Sequence, residues 1–289
     1  MSEIRLDNLE INRLHLYQSE DNFNFGIDAV LLANFAIREL KAVAHVARPY
    51  EAGAHVARPC ETGIGLKICD FCTGTLPIPL IMYGKINTTV SSDTVGESPK
   101  IHIDAFEIDE EQVALCNKSI SWNKENVPFA FSIDSDIKVH CDDIKNIFLD
   151  REKYKKMYES YDIVTVNPPY NKKGSGIINL NDKIIKARHE VSITFDDICK
   201  AASLILKSNK RFYFINQTSR FTELTETLRK YSLEMKKASF VHPYVDKESN
   251  LFLAEAVKNG RPGLKILPPI IIYEKPGVYT KDVLRIYGK

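Results

Sequence analysis

Short apolar runs alternate with amphipathic stretches along most of the chain, and this pattern predicts an α/β protein. Four runs rich in Ile, Val and Phe have the length and composition of buried strands, and five stretches have the apolar spacing of helices. The predicted strands are residues 66–71, 101–107, 161–166 and 211–215, and the predicted helices are residues 28–36, 77–82, 109–122, 194–206 and 221–231. Because strands and helices alternate, we expect a doubly wound, mainly parallel sheet.

The last third of the chain changes this pattern. Three further strands are predicted at residues 239–241, 251–257 and 266–273, and they follow one another in quick succession. Strands joined without an intervening helix are typical of antiparallel pairing. We therefore expect an antiparallel edge on the parallel sheet.

The 289 residues can bury one large core. We predict an N-terminal segment, residues 1–40, and a single domain over residues 41–289, with insertions at 41–65 and 86–100. Residues 44–63 are an imperfect tandem repeat of ten residues. Two copies are too few for a solenoid, so the repeat is predicted to be a surface insertion.

The sequence Asn167-Pro168-Pro169-Tyr170 follows directly after the predicted strand 161–166. The prolines fix the backbone, remove two amide donors and hold Asn167 in an extended conformation. The Asn167 side-chain oxygen and the Pro168 carbonyl are left as acceptors beside the Tyr170 ring. This arrangement suits a flat group that carries an NH₂, such as a nucleobase amine, although Asn-Pro also favours an ordinary turn.

Acidic side chains follow three strand ends earlier in the chain. Asp70 precedes a turn that contains Gly74, Glu107 ends the next strand, and Asp142 and Asp143 form a third acidic turn. A carboxylate placed like Glu107 is typical of a site for the ribose hydroxyls of an adenosine. Since Gly74 stands alone where a dinucleotide fingerprint has three glycines, a dinucleotide oxidoreductase is disfavoured.

Bulk properties favour a soluble, cytoplasmic, monomeric protein. No apolar run reaches the roughly 20 residues of a membrane span, and the first residues lack the pattern of a signal peptide. Six cysteines are present, and Cys69-x-x-Cys72 has no second Cys or His pair at zinc-ligand spacing. We therefore expect reduced thiols and no metal.

Charge is divided unevenly along the chain, although the net charge is only +1. Residues 1–144 carry 12 basic and 22 acidic side chains, whereas residues 145–289 carry 27 and 16. The basic half begins near the Asn-Pro-Pro-Tyr sequence and includes Lys207, Lys210 and Arg211. Such a surface can neutralise phosphates, which favours a polyanionic substrate, although a solvated basic face needs no partner.

Several segments together resemble the class I S-adenosylmethionine-dependent methyltransferases that carry the Asn-Pro-Pro-Tyr signature. Within that group the chain is most similar to the bacterial tRNA adenine-N(6) methyltransferases that modify valine tRNA next to the anticodon. The resemblance begins at Gln18, resumes at Asp70 and passes through the Asn167 loop. It continues through Ala187-Arg188-His189-Glu190, Phe240-Val241-His242-Pro243 and Leu264-Lys265-Ile266-Leu267-Pro268-Pro269.

The resemblance implies a Rossmann-like, seven-stranded methyltransferase sheet, S-adenosylmethionine as cofactor and tRNA as partner. The catalytic loop would consist of Asn167, Pro168, Pro169 and Tyr170. The cofactor would contact Asp70, Cys72 and Gly74 at its methionine end, Glu107 at its ribose and Asp142 or Asp143 at its adenine, with Phe25 and Asp28 closing the pocket. The RNA would contact Lys172, Lys173, Lys186, Arg188 and Arg220.

Two departures from the family pattern leave alternatives open. Cys72 and Leu76 replace glycines in the first turn, and residues 216–220 keep only Arg220 of a His-Arg-Pro-x-Arg pattern. A non-catalytic RNA-binding relative is therefore one alternative. A protein glutamine amide or a guanine in rRNA is another, because each presents the same kind of NH₂ group. Arg188 and Arg220 could also form ordinary salt bridges.

Overall fold

The structure is a computed structural model that describes residues 3–19, 25–46, 65–90, 100–128, 136–169 and 193–289. In the helices that end at residues 46 and 90, side chains are described only as far as residues 38 and 86. Nearly all of the tandem repeat 44–63 and most of the insertion at 86–100 lie outside the described residues. The same is true of five predicted site residues, namely Tyr170, Lys172, Lys173, Lys186 and Arg188.

Strands and helices alternate from residue 66 onward, as the apolar pattern predicts. The strands are β1 (Ile4–Asn8), β2 (His15–Ser19), β3 (Leu66–Phe71), β4 (Ile101–Glu107), β5 (Asp136–Cys141), β6 (Tyr161–Val166), β7 (Leu206–Gln217), β8 (Leu233–His242), β9 (Leu251–Lys258), β10 (Lys265–Ile266), β11 (Ile270–Ile271), β12 (Tyr273–Lys275) and β13 (Val278–Tyr279). The helices are α1 (Ile27–Val46), α2 (Pro77–Val90), α3 (Glu110–Asn126), α4 (Asn146–Leu149), α5 (Arg151–Tyr154), α6 (Phe195–Ile205), α7 (Phe221–Lys230) and α8 (Lys281–Ile286). Short 3₁₀ turns cover Lys155–Met157 and Thr218–Arg220. The predicted boundary at residue 40 falls inside α1.

The main sheet has the strand order β10-β8-β9-β7-β6-β3-β4-β5, and β11 also pairs with β8. Strands β5, β4, β3, β6 and β7 are parallel, whereas β9 runs antiparallel to both β7 and β8. The predicted fold class, a doubly wound and mainly parallel sheet with antiparallel pairing on one side, is confirmed. The strand order reverses between β3 and β6, and ligands of open α/β sheets bind at the carboxyl ends of strands beside such a reversal.

Each face of the sheet is covered by its own apolar cluster. Alternate residues of a strand point to opposite faces, so Ile68 belongs to the cluster that includes side chains of α1, α2 and α3, whereas Cys69 belongs to the cluster that includes side chains of α6 and α7. In β7, Tyr213 and Phe214 are divided in the same way. Both faces are therefore buried, and the carboxyl edge is left as the place where polar side chains can meet.

The N-terminal hairpin of β1 and β2 is fixed to α3 through one buried asparagine. Asn123 accepts a hydrogen bond from the His15 main-chain N–H at 3.0 Å and donates to the His15 carbonyl at 2.5 Å. The Ser119 hydroxyl accepts from the Tyr17 N–H at 2.8 Å. Side chains of α3 therefore provide hydrogen-bond partners for main-chain groups along the edge of β2 that does not pair with β1. These bonds explain how a two-stranded hairpin is stable beside the larger sheet.

The predicted strand at residues 266–273 was wrong. The structure breaks this stretch into β10, β11 and the start of β12. Pro268 and Pro269 have no N–H to donate to a sheet partner, so the ladder along β8 is interrupted between Ile266 and Ile270.

We expect Asn123→Ala to lower the free energy of unfolding by about 2 kcal/mol, because the His15 amide and carbonyl lose buried partners. Urea unfolding measures the change. Asn126→Ala is the matched control, since Asn126 is exposed near the end of the same helix, and its change should stay below about 0.5 kcal/mol. Equal losses for the two variants would contradict the role assigned to Asn123.

Candidate active site

The turn after β3 has left-handed backbone conformations, which favour glycine, at three positions, and only one of these positions is a glycine. The φ angles are +54° at Cys72, +57° at Gly74 and +77° at Leu76. Left-handed φ at a residue other than glycine costs on the order of 1 kcal/mol or more. The turn is held by a bond from the Thr73 N–H to the Phe106 carbonyl at 2.9 Å and by complete burial of the Leu76 side chain. The two departures from the family sequence thus fall on positions whose backbone still has the conformation that favours glycine.

Glu107 ties this turn to the loop after β4. Its carboxylate accepts hydrogen bonds from the N–H groups of Gly74 at 2.9 Å, Ile108 at 2.9 Å and Asp109 at 3.1 Å. Burial raises the pKa of Glu107, and the three amide bonds oppose that rise. Only one of the three bonds goes to Oε2, so this oxygen can accept a further hydrogen bond.

Asp70 lies at the end of β3 and is 1% exposed. The Thr165 hydroxyl of β6 donates to its Oδ1 atom, while Oδ2 has no hydrogen-bond partner among the described residues. Burial raises the pKa of Asp70 to about 7, and the nearby charge of Glu107 contributes in the same direction. A buried carboxylate oxygen without a partner is a suitable acceptor for a cationic or donor group of a ligand.

The two candidate carboxylates after β5 have different surroundings. Asp142 Oδ2 accepts from Lys153 and Tyr154, and its Oδ1 accepts from Asn146 at 2.6 Å and from the Asp143 N–H at 2.8 Å. Burial acts to raise the pKa of Asp142, but these bonds outweigh it and lower the pKa to about 2.

Asp143 has fewer bonds. Its Oδ1 accepts from the Lys145 N–H at 2.8 Å, and its Oδ2 lies 3.3 Å from the Lys145 ammonium. Asp142 therefore fixes the local loop, and Asp143 is the carboxylate with remaining capacity to accept.

The Asn167 loop lies next to the first turn because β6 is paired with β3. Thr165 is opposite Asp70 and Val166 is opposite Phe71, so the loops that follow begin side by side, about 5 Å apart. Asn167 is half-buried, Pro168 is buried and Pro169 is exposed. The structure thus brings Asp70, Gly74, Glu107, Asp143 and Asn167 to four adjacent strand ends.

Phe25 and Asp28 lie at the start of α1. The Phe25 N–H donates to Gln18 Oε1 at 3.0 Å, and its ring packs against the core cluster shared by α1 and α2. Asp28 lies in the first turn of α1. Their proposed role in closing the pocket stays a prediction.

Three basic residues of the second half lie away from the Asn167 loop. Lys207 and Lys210 are near the amino end of β7, at the edge of the sheet opposite Asn167, and both pair with Asp162. Arg211 lies 3.7 Å from buried Glu255. Parallel strands place their amino ends away from the candidate site, so these three residues do not adjoin the loop, and a phosphate contact of theirs stays a prediction.

Arg220 lies at the carboxyl edge and forms a two-fold salt bridge. Its Nε and Nη2 atoms donate to the Glu223 carboxylate at 3.1 Å and 2.5 Å. The structure therefore shows the salt bridge that the sequence left as an alternative, and a phosphate contact of Arg220 stays a prediction.

Two residues of the site were not identified from the sequence. Thr165 was assigned only to a buried strand, yet its hydroxyl is the partner of Asp70. A polar residue inside an otherwise apolar run is the signal that could have singled it out. Cys116 was assigned to the apolar face of a helix, and its thiol contacts the Gly74 carbonyl at 3.0 Å.

Among the helices that the structure describes, none has the length and hydropathy needed to cross a membrane. The described part of the chain also contains no cluster of three His, Cys, Asp or Glu side chains that could hold a metal ion. Cys69 and Cys72 are free thiols.

We expect stability to depend on pH through Asp70. Its folded pKa is raised to about 7, so its proton is released at lower pH in the unfolded chain than in the folded one. The free energy of unfolding should therefore fall as the pH rises from 5 to 7. This group contributes a fall of as much as about 1.4 kcal/mol per pH unit. Asp70→Asn should remove this component in urea unfolding.

Asp162→Asn is the comparison with opposite sign. Although burial acts to raise the pKa of Asp162, hydrogen bonds from Lys210, the Lys67 N–H and Lys207 outweigh it and lower the pKa. Its stabilisation is present above the unfolded pKa and is lost only in acid, so this variant should leave the slope between pH 5 and pH 7 unchanged. A slope unaffected by Asp70→Asn would contradict the assignment.

Neither the protein-family models nor the curated protein sequences contain a match to this chain. Solved structures do match. A predicted O-methyltransferase from Agrobacterium tumefaciens superposes with a TM-score of 0.59 at 16% identity, over 90% of this chain and 95% of that one. A protein assigned to the class I S-adenosylmethionine-dependent methyltransferases from Listeria monocytogenes gives a TM-score of 0.51 at 12% identity, over 89% of this chain and 69% of that one. At these identities the likeness establishes the fold, which is that of the class I methyltransferases.

Proposed function

We propose that the protein is an S-adenosylmethionine-dependent methyltransferase that methylates the exocyclic amine of an adenine in tRNA. The observation that carries this proposal is the meeting of Asp70, Glu107, Asp143 and the Asn167-Pro168-Pro169 loop at adjacent carboxyl ends of parallel strands. In this fold that edge is where a nucleotide-like ligand binds.

The residues present fit the cofactor. Asp70 Oδ2 is buried and has no partner within the described residues, so it can accept from the cationic methionine end of the cofactor. The turn through Cys72 and Gly74 would lie beside that end. Glu107 has acceptor capacity left on Oε2 for a ribose hydroxyl. Asp143, rather than the fully bonded Asp142, is placed to accept from the adenine amine.

S-adenosylmethionine supplies an activated methyl group when it is bound. The chain's own task is to prepare the nitrogen that attacks it, because the lone pair of an aromatic amine is delocalised into the ring. The Asn167 side-chain oxygen and the Pro168 carbonyl would accept hydrogen bonds from its two N–H groups and draw the nitrogen toward tetrahedral geometry. Holding nitrogen, methyl and sulfur in line supplies further acceleration. Tyr170 would stack on the base, and the proton released would pass to solvent.

The choice of tRNA is supported by the sequence. Lys172, Lys173, Lys186 and Arg188 follow the catalytic loop closely and could neutralise phosphates. The segments around Arg188, His242 and Leu264 resemble the enzymes that act on valine tRNA next to the anticodon. The NH₂ group of a protein glutamine side chain offers the same two N–H donors to Asn167 and Pro168. An experiment must therefore distinguish RNA from protein as the substrate.

We expect the unaltered chain to transfer labelled methyl to fractionated RNA and to yield N6-methyladenosine on nucleoside analysis. Asn167→Ala should reduce this transfer by about 10²-fold or more, the size of effect seen when one stabilising polar contact is removed from an active site. Its affinity for S-adenosylmethionine should be preserved, because Asn167 is not assigned to the cofactor.

Asn250→Ala is the matched control. The Asn250 side chain is exposed, and the main chain of this residue makes hydrogen bonds with the main chain of Thr218 and Val241. Near-normal methylation by Asn167→Ala would exclude the proposed mechanism. Label recovered in protein as methylglutamine would overturn the choice of RNA while leaving the enzyme class intact.

A further inference from the structure

A cavity of about 260 Å³ opens beside the Asn167 loop. Its walls come from the loop after β6, the start of α6, the end of β7 and the first two turns of α7. Pro168 and Pro169 line it, whereas Asn167 does not. The cavity therefore adjoins, on the proline side of the loop, the position where the target amine would react.

One wall of the cavity holds a buried donor. Asn216 is 1% exposed, and its side-chain oxygen accepts from the Gln217 N–H at 2.8 Å. The hydrogen bond to Gln217 uses only the oxygen of this side chain. Its amide NH₂ therefore keeps donor capacity, which suits it to an acceptor on a ligand in the cavity.

The lining also holds a flat cation, Arg220. Its guanidinium is fixed by two bonds to Glu223, which use Nε and Nη2 and leave Nη1 outside the pair. A guanidinium plane is a stacking partner for an unpaired base, as an aromatic ring is. The rings of Pro168 and Pro169 add apolar surface to the same cavity.

The charges of the lining disfavour a phosphate. Of the two carboxylates that line the cavity, Glu223 is paired with Arg220, and Asp196 is paired with Lys230 at 2.6 Å and bonded to Tyr231. Because each charge is already paired, a neutral group that carries both donors and acceptors fits this lining better than an anion. Pockets for whole drug-sized ligands begin at about 300 Å³, so a cavity slightly below that size suits one flat heterocycle.

We infer that this cavity holds the unpaired nucleobase of a nucleotide next to the methylated adenosine. The inference depends on the proposed function, and it adds a second base-binding site to it. In this site the Asn216 amide donates to an acceptor on the base edge, Arg220 stacks on the ring, and Asp196 or Glu223 accepts from an amino group. Selection of the target then depends on two bases being out of the stack rather than one.

The test fills the cavity from its outer wall. Thr227 is half-buried on α7 and lines the cavity, so Thr227→Tyr places a ring there. Thr222→Tyr is the matched control, because Thr222 is exposed on the same helix and does not line the cavity. Each protein is assayed on an intact RNA stem-loop and on two versions with an abasic nucleotide at either neighbour of the methylated adenosine.

We expect one abasic neighbour to lower kcat/KM of the unaltered chain and of Thr222→Tyr by about tenfold, which lies within the range of one base-stacking contact. On intact RNA, kcat/KM of Thr227→Tyr should already be lower than that of the unaltered chain by a similar factor. Replacing intact RNA by that abasic RNA should not lower kcat/KM of Thr227→Tyr any further. Its affinity for S-adenosylmethionine should be unchanged, since neither Asp70 nor Glu107 lines the cavity.

Two outcomes would overturn the inference alone: normal methylation of intact RNA by Thr227→Tyr, or an abasic penalty equal in all three proteins. An unaltered chain that methylates no RNA would overturn the proposed function together with the inference.

Discussion

The carboxylate of Glu107 accepts hydrogen bonds from the main chain of two different loops, and the geometry of the candidate active site depends on this bonding. Through Gly74 it holds the turn after β3, and through Ile108 and Asp109 it holds the loop after β4. The parallel pairing of β3 with β4 and β6 then places the turn after β3 between the loop after β4 and Asn167. A ligand that spans these strand ends would meet groups that are already positioned, which lowers the entropy lost on binding.

The turn after β3 shows how the fold retains a conformation that its sequence disfavours. Cys72 and Leu76 have left-handed backbones without the freedom of glycine. Burial of Leu76 and the bonds of Thr73 and Gly74 to β4 compensate for that strain. Strained backbone that is held in place by its surroundings is typical of functional sites. The two substitutions therefore do not by themselves argue against a cofactor site at this turn.

The sequence predicted central parallel strands such as residues 66–71 and 161–166 well, because these runs are mostly apolar on both faces and are followed by turn-forming residues such as Gly74 and Asn167. It therefore also predicted which residues meet at the carboxyl edge. It could not show that Asp142 is fully bonded while Asp143 is not, because Lys153 and Tyr154 reach Asp142 from a later helix. Hydrogen bonds between residues far apart in the chain, such as Thr165 with Asp70, produce no local sequence pattern from which they could be predicted.

Other errors have a similar physical origin. Charge counted along the chain does not reveal which edge of the sheet a residue occupies, so Lys207 and Lys210 were grouped with residues near Asn167. In the folded chain they pair with Asp162 at the opposite edge. The hairpin of β1 and β2 escaped prediction because its strands are short and β1 is mostly exposed. Its stability comes instead from the side chains of Ser119 and Asn123 on α3.

Calorimetric titration of S-adenosylmethionine into the purified chain measures whether the carboxyl edge of the sheet binds the cofactor. We expect saturable binding at one site per chain, with about tenfold weaker affinity for Asp143→Ala, which lacks one hydrogen-bonding carboxylate. Asp136→Ala should bind normally, because Asp136 lies exposed at the amino end of β5. Absence of saturable binding would contradict a cofactor site at this edge and would favour a non-catalytic RNA-binding protein with a methyltransferase fold.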